Sequence, residues 1–533
     1  MSHKGPGKKK FEITSKSEDH GKWYSELLLR SGMIDYTDVS GCYVLKPWSY
    51  AIWEKLHSFL NAQIAVRGVN NAYFPMLVSE TNLQREAEHL EDFAPEVAWI
   101  STDKDDDEES SDQKRERFAI RPTSETIIYP HFANWLKETG QYPKINQWCN
   151  ILRWEHKGCT PFIRSREFLW QEGHTCHPDR TAAIDEMWDI LNLYRTTYEK
   201  LLAVPVIPGL KTSSETFPGA ELTSTIEGFL PDSGRAIQSA TSHYLGTNFS
   251  KIFDIRGGDG ELVHQNSWGF TTRSIGVAVM THSDDKGLVL PPRIAPIQVV
   301  MIACGLNKNT SDSIKQDINA TLLELQRKIR ESNLIRCLYD NSPKETPGMK
   351  FNKWEVKGVP LRIELGPRDL QNNRVTMVRR DTMEKFVVSL SKLLNNPNIL
   401  MSYLTEIHND MFGKAQDRLR NSIVLIDETI ESEETKRVFT ESLNSRKLCL
   451  LRVPTDQGIG EYEKHLKQIC KDSDVKSAKA LCIPTTDALR EYGFDDLADD
   501  LADDVPSDLN AGDGPQTTVS QTSRKYILYG RSY

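Results

Sequence analysis

The sequence predicts a multidomain chain of mixed α/β and α+β architecture, and three observations predict it. The first is length: 533 residues exceed what one hydrophobic core organises, and at roughly 100–200 residues per domain about three or four units are expected. The second is the stretch Asn150–His174, two apolar-charged arms joined by a loop containing Gly158 and Pro161, which reads as a long antiparallel hairpin. Strand-like alternation returns over 222–228 and 234–246. The third is the proline-stiffened segment Leu290-Pro-Pro-Arg-Ile-Ala-Pro296, after which strand and helix patterns alternate as in an α/β domain.

Composition narrows the class. With 38% hydrophobic and 26% charged residues the chain is ordinary globular protein, and no run approaches the ~20 apolar residues of a membrane span. The first ten residues lack the apolar core of a signal peptide, and the nine cysteines include no Cys-x-x-Cys pair, so a cytoplasmic chain with reduced thiols and no membrane association is expected. A net charge of −9 argues against a uniformly basic polyanion binder, which leaves local patches to decide.

In chain order, residues 1–17 form a basic Lys/Gly/Pro tail with no assigned role. A domain over 18–290 opens with a helical pattern between Pro47 and Arg67 and a strand at 74–78. The run 103–112 carries seven acidic residues against one lysine and is expected to be a mobile surface loop. After it, a short strand from Phe118 meets a Pro-Thr-Ser-Glu turn and a helix, where Thr123 and Glu125 read by themselves as a helix cap. Residues 185–202 form a packing helix. The α/β unit covers 296–400, and residues 344–385 hold ten Lys/Arg against six Asp/Glu, a local basic excess. A third, C-terminal unit covers 404–533, with a docked apolar end.

The hairpin carries the chemistry. Its arms set Arg153, Glu155, Arg164, Arg166, Glu167, Glu172 and His174 among Trp154, Phe162, Phe168 and Trp170, more charge than a purely structural strand pair tolerates. Strand alternation sends Phe168, Trp170, Glu172 and His174 to one face, so the hairpin is expected to lie over a ligand. The pattern Arg-x-Glu, loop, Arg-Glu-Phe is similar to motif 2 of class II aminoacyl-tRNA synthetases, and the wording Arg-Trp-Glu through Arg-Glu-Phe-Leu-Trp-Gln-Glu-Gly-His resembles prolyl-tRNA synthetases of the eukaryotic and archaeal type. The helix and strand before Val78 look like motif 1, the dimer element of that class, and Gln265–Gly276 looks like motif 3.

The resemblance implies a class II antiparallel-sheet catalytic domain followed by an anticodon-binding α/β domain and a small α+β C-terminal domain. It also implies that L-proline is activated with ATP to prolyl-adenylate and transferred to tRNA(Pro) by a homodimer. Attack of a carboxylate on a phosphate brings two anions together, and Arg153 is the guanidinium that would hold both. Arg164 and Arg273 would clamp the β,γ end of ATP, Phe168 would stack on adenine with Arg273 across it, and Glu155 would orient the base or the loop. Ser165, Gln238, Thr241 and Thr271 complete the implied ATP contacts, with Mg2+ held between phosphates. Trp170, Phe217 and His243 would wall the proline ring with Ser267 and Trp268, while Thr123, Glu125, Glu172 and His174 would receive its amine. Alanine and cysteine are the expected competitors, since apolar pockets separate sizes by only about 1–3 kcal/mol. About ninety residues separate His174 from Gln265, and no editing domain is expected among them.

Within the α/β unit, Gly-Val-Pro-Leu-Arg-Ile-Glu-Leu-Gly-Pro-Arg-Asp-Leu370 is similar to the class II anticodon-binding domain, with Glu364 and Arg368 as candidate readers. Many relatives carry a C-terminal zinc site built from two cysteine pairs. Here 455–460 and 512–525 contain no cysteine, and Cys449, Cys470 and Cys482 are widely spaced, so no zinc is expected. Two other readings remain: another class II ligase, such as a threonyl enzyme using zinc ligands among His156, Cys159, His174, Cys176 and His177, or a synthetase-like regulator that binds without catalysis. If Arg153 bridges both reacting anions, Arg153→Lys keeps the fold and loses most proline-dependent ATP–pyrophosphate exchange. Exchange within about threefold of wild type, well under ~1 kcal/mol, would remove Arg153 from that role.

Overall fold

The computed structural model describes residues 13–87, 97–100, 117–154, 158–428, 430–454, 458–502 and 525–533. The acidic run 103–112, residues 1–12 of the basic tail, and Glu155 lie outside the described residues. Two compact units result, one of Met1–Asp35, Val44–Glu54 and Ala278–Gly413, the other of Tyr36–Tyr43, Lys55–Val277 and Lys414–Tyr533.

The second unit is built on an eleven-stranded sheet. From edge to edge its strands are Ile423–Ile426, Leu448–Val453, Lys525–Arg531, Ala478–Pro484, Ile207–Leu210, Leu222–Leu230, Arg235–Gly246, His264–Thr271, Glu167–His177, Lys144–Leu152 and Asn70–Asn71. The hairpin expected from sequence is the pair Lys144–Leu152 and Glu167–His177, antiparallel with Gln147 opposite Glu172 and Ile151 opposite Phe168. One face of the central strands is covered by the helix Arg180–Thr196, capped by the Asp179 side chain and burying Met187, Ile190, Leu191 and Tyr194. The helix Glu125–Thr139 ends at Gly140 in the left-handed conformation and packs Tyr129, Phe132 and Leu136 against Phe249 and Phe253.

Two local differences from the sequence reading have clear causes. The strand expected at 74–78 begins only at Leu77, because Pro75 has no N–H to give a ladder. The Phe74 N–H donates instead to the Gln147 side chain, and the carbonyls of Phe74 and Pro75 accept from the buried Arg121 guanidinium. The C-terminal unit expected from Leu404 is not cut there: a continuous helix Ile399–Arg420 crosses that position, and the segment from Lys414 belongs to the sheet unit. Ala478–Pro484 joins the sheet edge through Ile483 opposite Leu210 and Pro484 opposite Gly209, giving exposed strand edges their partners.

The first unit contains a five-stranded sheet in the order Cys337–Tyr339, Val299–Ala303, Leu361–Leu365, Arg374–Arg379, Lys385–Ser389. Its first three strands are parallel and its last two antiparallel. The helix Asp312–Glu331 is capped by Ser311, and Pro347–Val356 by Thr346 with proline at its first position. Among the described residues no helix is long and apolar enough to cross a membrane.

Packing at the centre of the larger sheet is tight. A Cβ on Gly173 would stand 2.2 Å from the ring of Trp268, which opposes it on the neighbouring strand. Gly173→Ala is therefore expected to cost about 1–3 kcal/mol, read as a lowered urea midpoint. A midpoint equal to wild type would show that the indole yields freely.

Candidate active site

Strand register assembles the site. Ser267 opposes His174 and His243, and Thr223 opposes His243, so these four residues form one row across four strands. The adjacent row is Glu172, Gly269, Thr241 and Thr225, and Trp170 stands opposite Thr271 beyond it. Because side chains in one row share a face, the row residues face away from the helix Arg180–Thr196, and all of them but Thr225 line a cavity of about 310 Å³.

The cavity wall brings together Thr123, Glu125, Arg153, Phe168, Trp170, Glu172, His174, Phe217, Gln238, Thr241, His243, Ser267, Trp268, Thr271 and Arg273. Trp268 differs from the others: it borders the cavity along its strand, while its ring crosses Gly173 on the helix side. Arg164 is exposed and Ser165 buried, and neither is in the wall. The sequence reading missed Glu215, Thr216, Pro218, Thr223, Ser239 and Ala240, small or polar residues with no periodic signal of their own.

One end of the cavity is acidic. Glu172 is 2% exposed and accepts from Ser124 Oγ at 2.6 Å and Gln147 Nε2 at 2.8 Å on one oxygen, and meets His174 Nε2 at 3.1 Å on the other. Tyr129 Oη in turn lies 3.0 Å from His174 Nδ1. Burial presses this carboxyl upward, but His174, Ser124 and Gln147 outweigh it and hold Glu172 below the usual carboxylate range. Glu125, also buried, accepts from Thr123 Oγ1 and sits in the first turn of its helix, where the helix dipole favours negative charge. Ser124, Gln147 and Tyr129 were not foreseen, and they hold the acid in place.

The other end is cationic. The Arg153 guanidinium lies 5.6 Å from the Phe168 ring centre and 5.9 Å from that of Trp170, and its Nε donates to the Pro122 carbonyl at 3.4 Å. Arg273 donates through Nε to the Ile163 carbonyl at 3.1 Å and through Nη1 to that of Gln238 at 2.9 Å. Among the described residues no carboxylate stands within ion-pair distance of Arg273. Burial lowers its proton affinity, and the like charges of Arg153 and Arg164 act in the same direction against Tyr198 and Glu227. Such a group awaits an anion. The cation nearest the Phe168 ring is Arg153, while the Arg273 guanidinium is held by the two carbonyls.

Between the ends, Phe217 and His243 pack with ring centres 4.7 Å apart. Thr223 Oγ1 and Thr241 Oγ1 meet the two His243 nitrogens at 2.9 and 3.1 Å. The zinc trio of the threonyl alternative is split: His174 faces the cavity, whereas His177 bonds Glu186 at 2.8 Å on the opposite face. Cys449 and Cys470 lie in an apolar cluster, and burial pushes their thiols up to about 12 and about 11. In the other unit Glu364 is buried against Arg362, 2.9 Å away, while Arg368 is exposed.

A class II aminoacyl-tRNA synthetase is the class this sheet and cavity define: residues 107–281 match the tRNA synthetase class II core domain (G, H, P, S and T), and residues 298–396 match an anticodon binding domain. The chain is 43% identical over 475 residues to the cytoplasmic proline–tRNA ligase of Arabidopsis thaliana, covering 88% of this chain and 84% of that one. It is 39% identical to the crystal structure of prolyl-tRNA synthetase from Cryptosporidium parvum complexed with L-proline and AMP, with a TM-score of 0.79 and coverage of 98% and 99%. The chain therefore belongs to the proline–tRNA ligase family. It is also 43% identical over 482 residues to the bifunctional glutamate/proline–tRNA ligase of Mus musculus, but spans only 31% of that protein's length.

The cavity has a measurable pH consequence. Burial, and then the charge of His174, bring His243 down from the ordinary 6.5 to about 3. Between those values the unfolded chain binds a proton that the folded chain does not, so stability falls as pH drops through that window. The urea midpoint of the wild type is expected to fall between pH 7 and pH 4 by more than that of His243→Asn. Equal falls would show that His243 is not held neutral.

Proposed function

We propose that this chain activates L-proline with ATP to prolyl-adenylate, releasing pyrophosphate, and then transfers proline to the 3′ end of tRNA(Pro). The observation that carries the reading is the polarity of the cavity: the buried acids Glu172 and Glu125 line one end, and the guanidinium groups of Arg153 and Arg273 line the other. Glu172 and Glu125 receive the secondary ammonium, which leaves the carboxylate of proline directed toward Arg153. Phe217 and His243 wall the ring, and a neutral His243 keeps that wall uncharged. Arg153 offsets the repulsion between carboxylate and α-phosphate, and Arg273 takes the phosphate tail. Phe168 offers the adenine a stacking plane on the face that Arg153 leaves open. The substrate carboxylate is the nucleophile, so no side chain need be acylated.

Among the described residues no group of three or more His, Cys, Asp or Glu is arranged around a common metal position. Glu125 and Glu172 are already engaged, so in this reading Mg2+ is held by phosphate oxygens and water, and it neutralises phosphate charge there. A cytoplasmic location is inferred from the named Arabidopsis relative. A homodimer is inferred from the exposed apolar side chains Val66, Tyr73 and Leu77 in the segment that resembles motif 1, together with Trp99, Ile100 and Phe118 on or beside the strands of the small sheet that Leu77–Ser79 joins. For the tRNA, Arg368 is the stronger anticodon candidate, because Glu364 is already paired with Arg362.

The deciding experiment is ATP–pyrophosphate exchange with proline, threonine, alanine and glycine in parallel. Exchange is expected with proline at concentrations where threonine and glycine give none, and tRNA charging is expected to weaken in Arg368→Ala with exchange unchanged. Exchange stimulated by threonine or glycine but not proline would overturn the assignment, and equal loss of both activities would make Arg368 structural.

A further inference from the structure

Glu463 is a fully buried carboxylate, 1% exposed, one turn into the helix Ile459–Asp472, outside both matched family regions. Among the described residues no cation stands within ion-pair distance of it. Its two oxygens accept from Thr212 Oγ1 and Ser214 Oγ, each at 2.6 Å. Burying a carboxyl group with two hydroxyls as its partners carries a desolvation cost that an apolar side chain would not. Its partners belong to the short loop that carries Phe217 into the cavity.

The same loop is gripped at two further points by the same C-terminal segment. Lys211 Nζ donates to the Leu481 carbonyl at 2.7 Å, and Glu215 pairs with Lys479 at 2.6 Å. Just beyond these anchors, the Phe217 N–H donates to Thr223 Oγ1 at 3.0 Å, the hydroxyl that also meets His243. Within the loop the Glu215 N–H and Thr216 Oγ1 donate to the Thr212 carbonyl at 3.0 and 2.9 Å, and Lys211 Nζ also pairs with Glu227 at 2.7 Å. Three of the residues that hold it, Glu463, Lys479 and Leu481, lie more than two hundred positions later in the chain.

We propose that Glu463 is a positioning residue for amino-acid specificity: it latches the loop of Thr212 and Ser214 so that Phe217 closes on His243 and forms the wall of the proline subsite. The inference rests on the proline reading above. The latch touches neither the arginines nor Phe168, so the nucleotide end of the cavity should not depend on it.

The test is the KM for proline and the KM for ATP, measured by pyrophosphate exchange on the full chain. Wild type is compared with Glu463→Leu, with the loop-side pair Thr212→Val/Ser214→Ala, and with all three substitutions combined. The loop-side pair removes the same two bonds without altering the buried helix, should Glu463→Leu unfold. A rise of about tenfold in proline KM is expected for both variants, with ATP KM within about twofold of wild type and the combined variant no worse than either. Unchanged proline KM in the loop-side pair, or equal rises in both KM values, would overturn the latch. Absence of proline-dependent exchange in wild type would overturn the proposed function itself, and the latch with it.

Discussion

A carboxylate at 2% exposure is the constraint around which the catalytic sheet is arranged. Glu172 stays charged only because donors reach it from three directions: Ser124 at the start of a helix, Gln147 on the neighbouring strand and His174 two residues along its own strand. Losing any one leaves a buried charge short of a partner, a loss of several kcal/mol in comparable sites. The turn before the helix Glu125–Thr139, the hairpin register and the Tyr129 contact are therefore mutually dependent. A one-residue slip of the hairpin would carry Glu172 and His174 to the helix-covered face.

The same register explains why one cavity can treat its two ends differently. Glu172 is fixed within its strand row by three donors, while Arg273 lies just past the end of the neighbouring strand His264–Thr271. Arg273 is tied to main-chain carbonyls, which orient a guanidinium without cancelling its charge. Charge held in place before substrate arrives is what makes such a site effective toward developing or approaching anions. The helix side of the sheet carries a separate polar set, with Glu186, His177 and Lys144 paired among themselves, which keeps that face from competing for the ligand.

Much of the site was legible because certain residues violate the pattern of their surroundings. Arg153, Glu172 and His174 are charged or titratable positions inside aromatic strands, and an alternation of two then says which of them share a face. Ser124, Gln147 and Tyr129 break no pattern, since a serine before a helix, a glutamine in a strand and a tyrosine on an apolar face all have ordinary roles. Arg164 and Ser165 lie outside the cavity wall, because the loop next to the arm directs the first to solvent and the second into the interior.

By itself the sequence determined what local physics controls: the helix and strand periods, the hairpin, the charges that need partners and the α/β pattern after Pro296. It did not reveal that the segment from Lys414 completes the catalytic sheet, or that Glu463 meets Thr212 across 251 positions of chain. It also left open which arginine covers Phe168 and which face Trp268 turns to. The physical reason is common to all four. Local pattern reports what a residue prefers, whereas a contact between distant segments depends on which strand edges find each other, and that is settled only when the whole sheet closes.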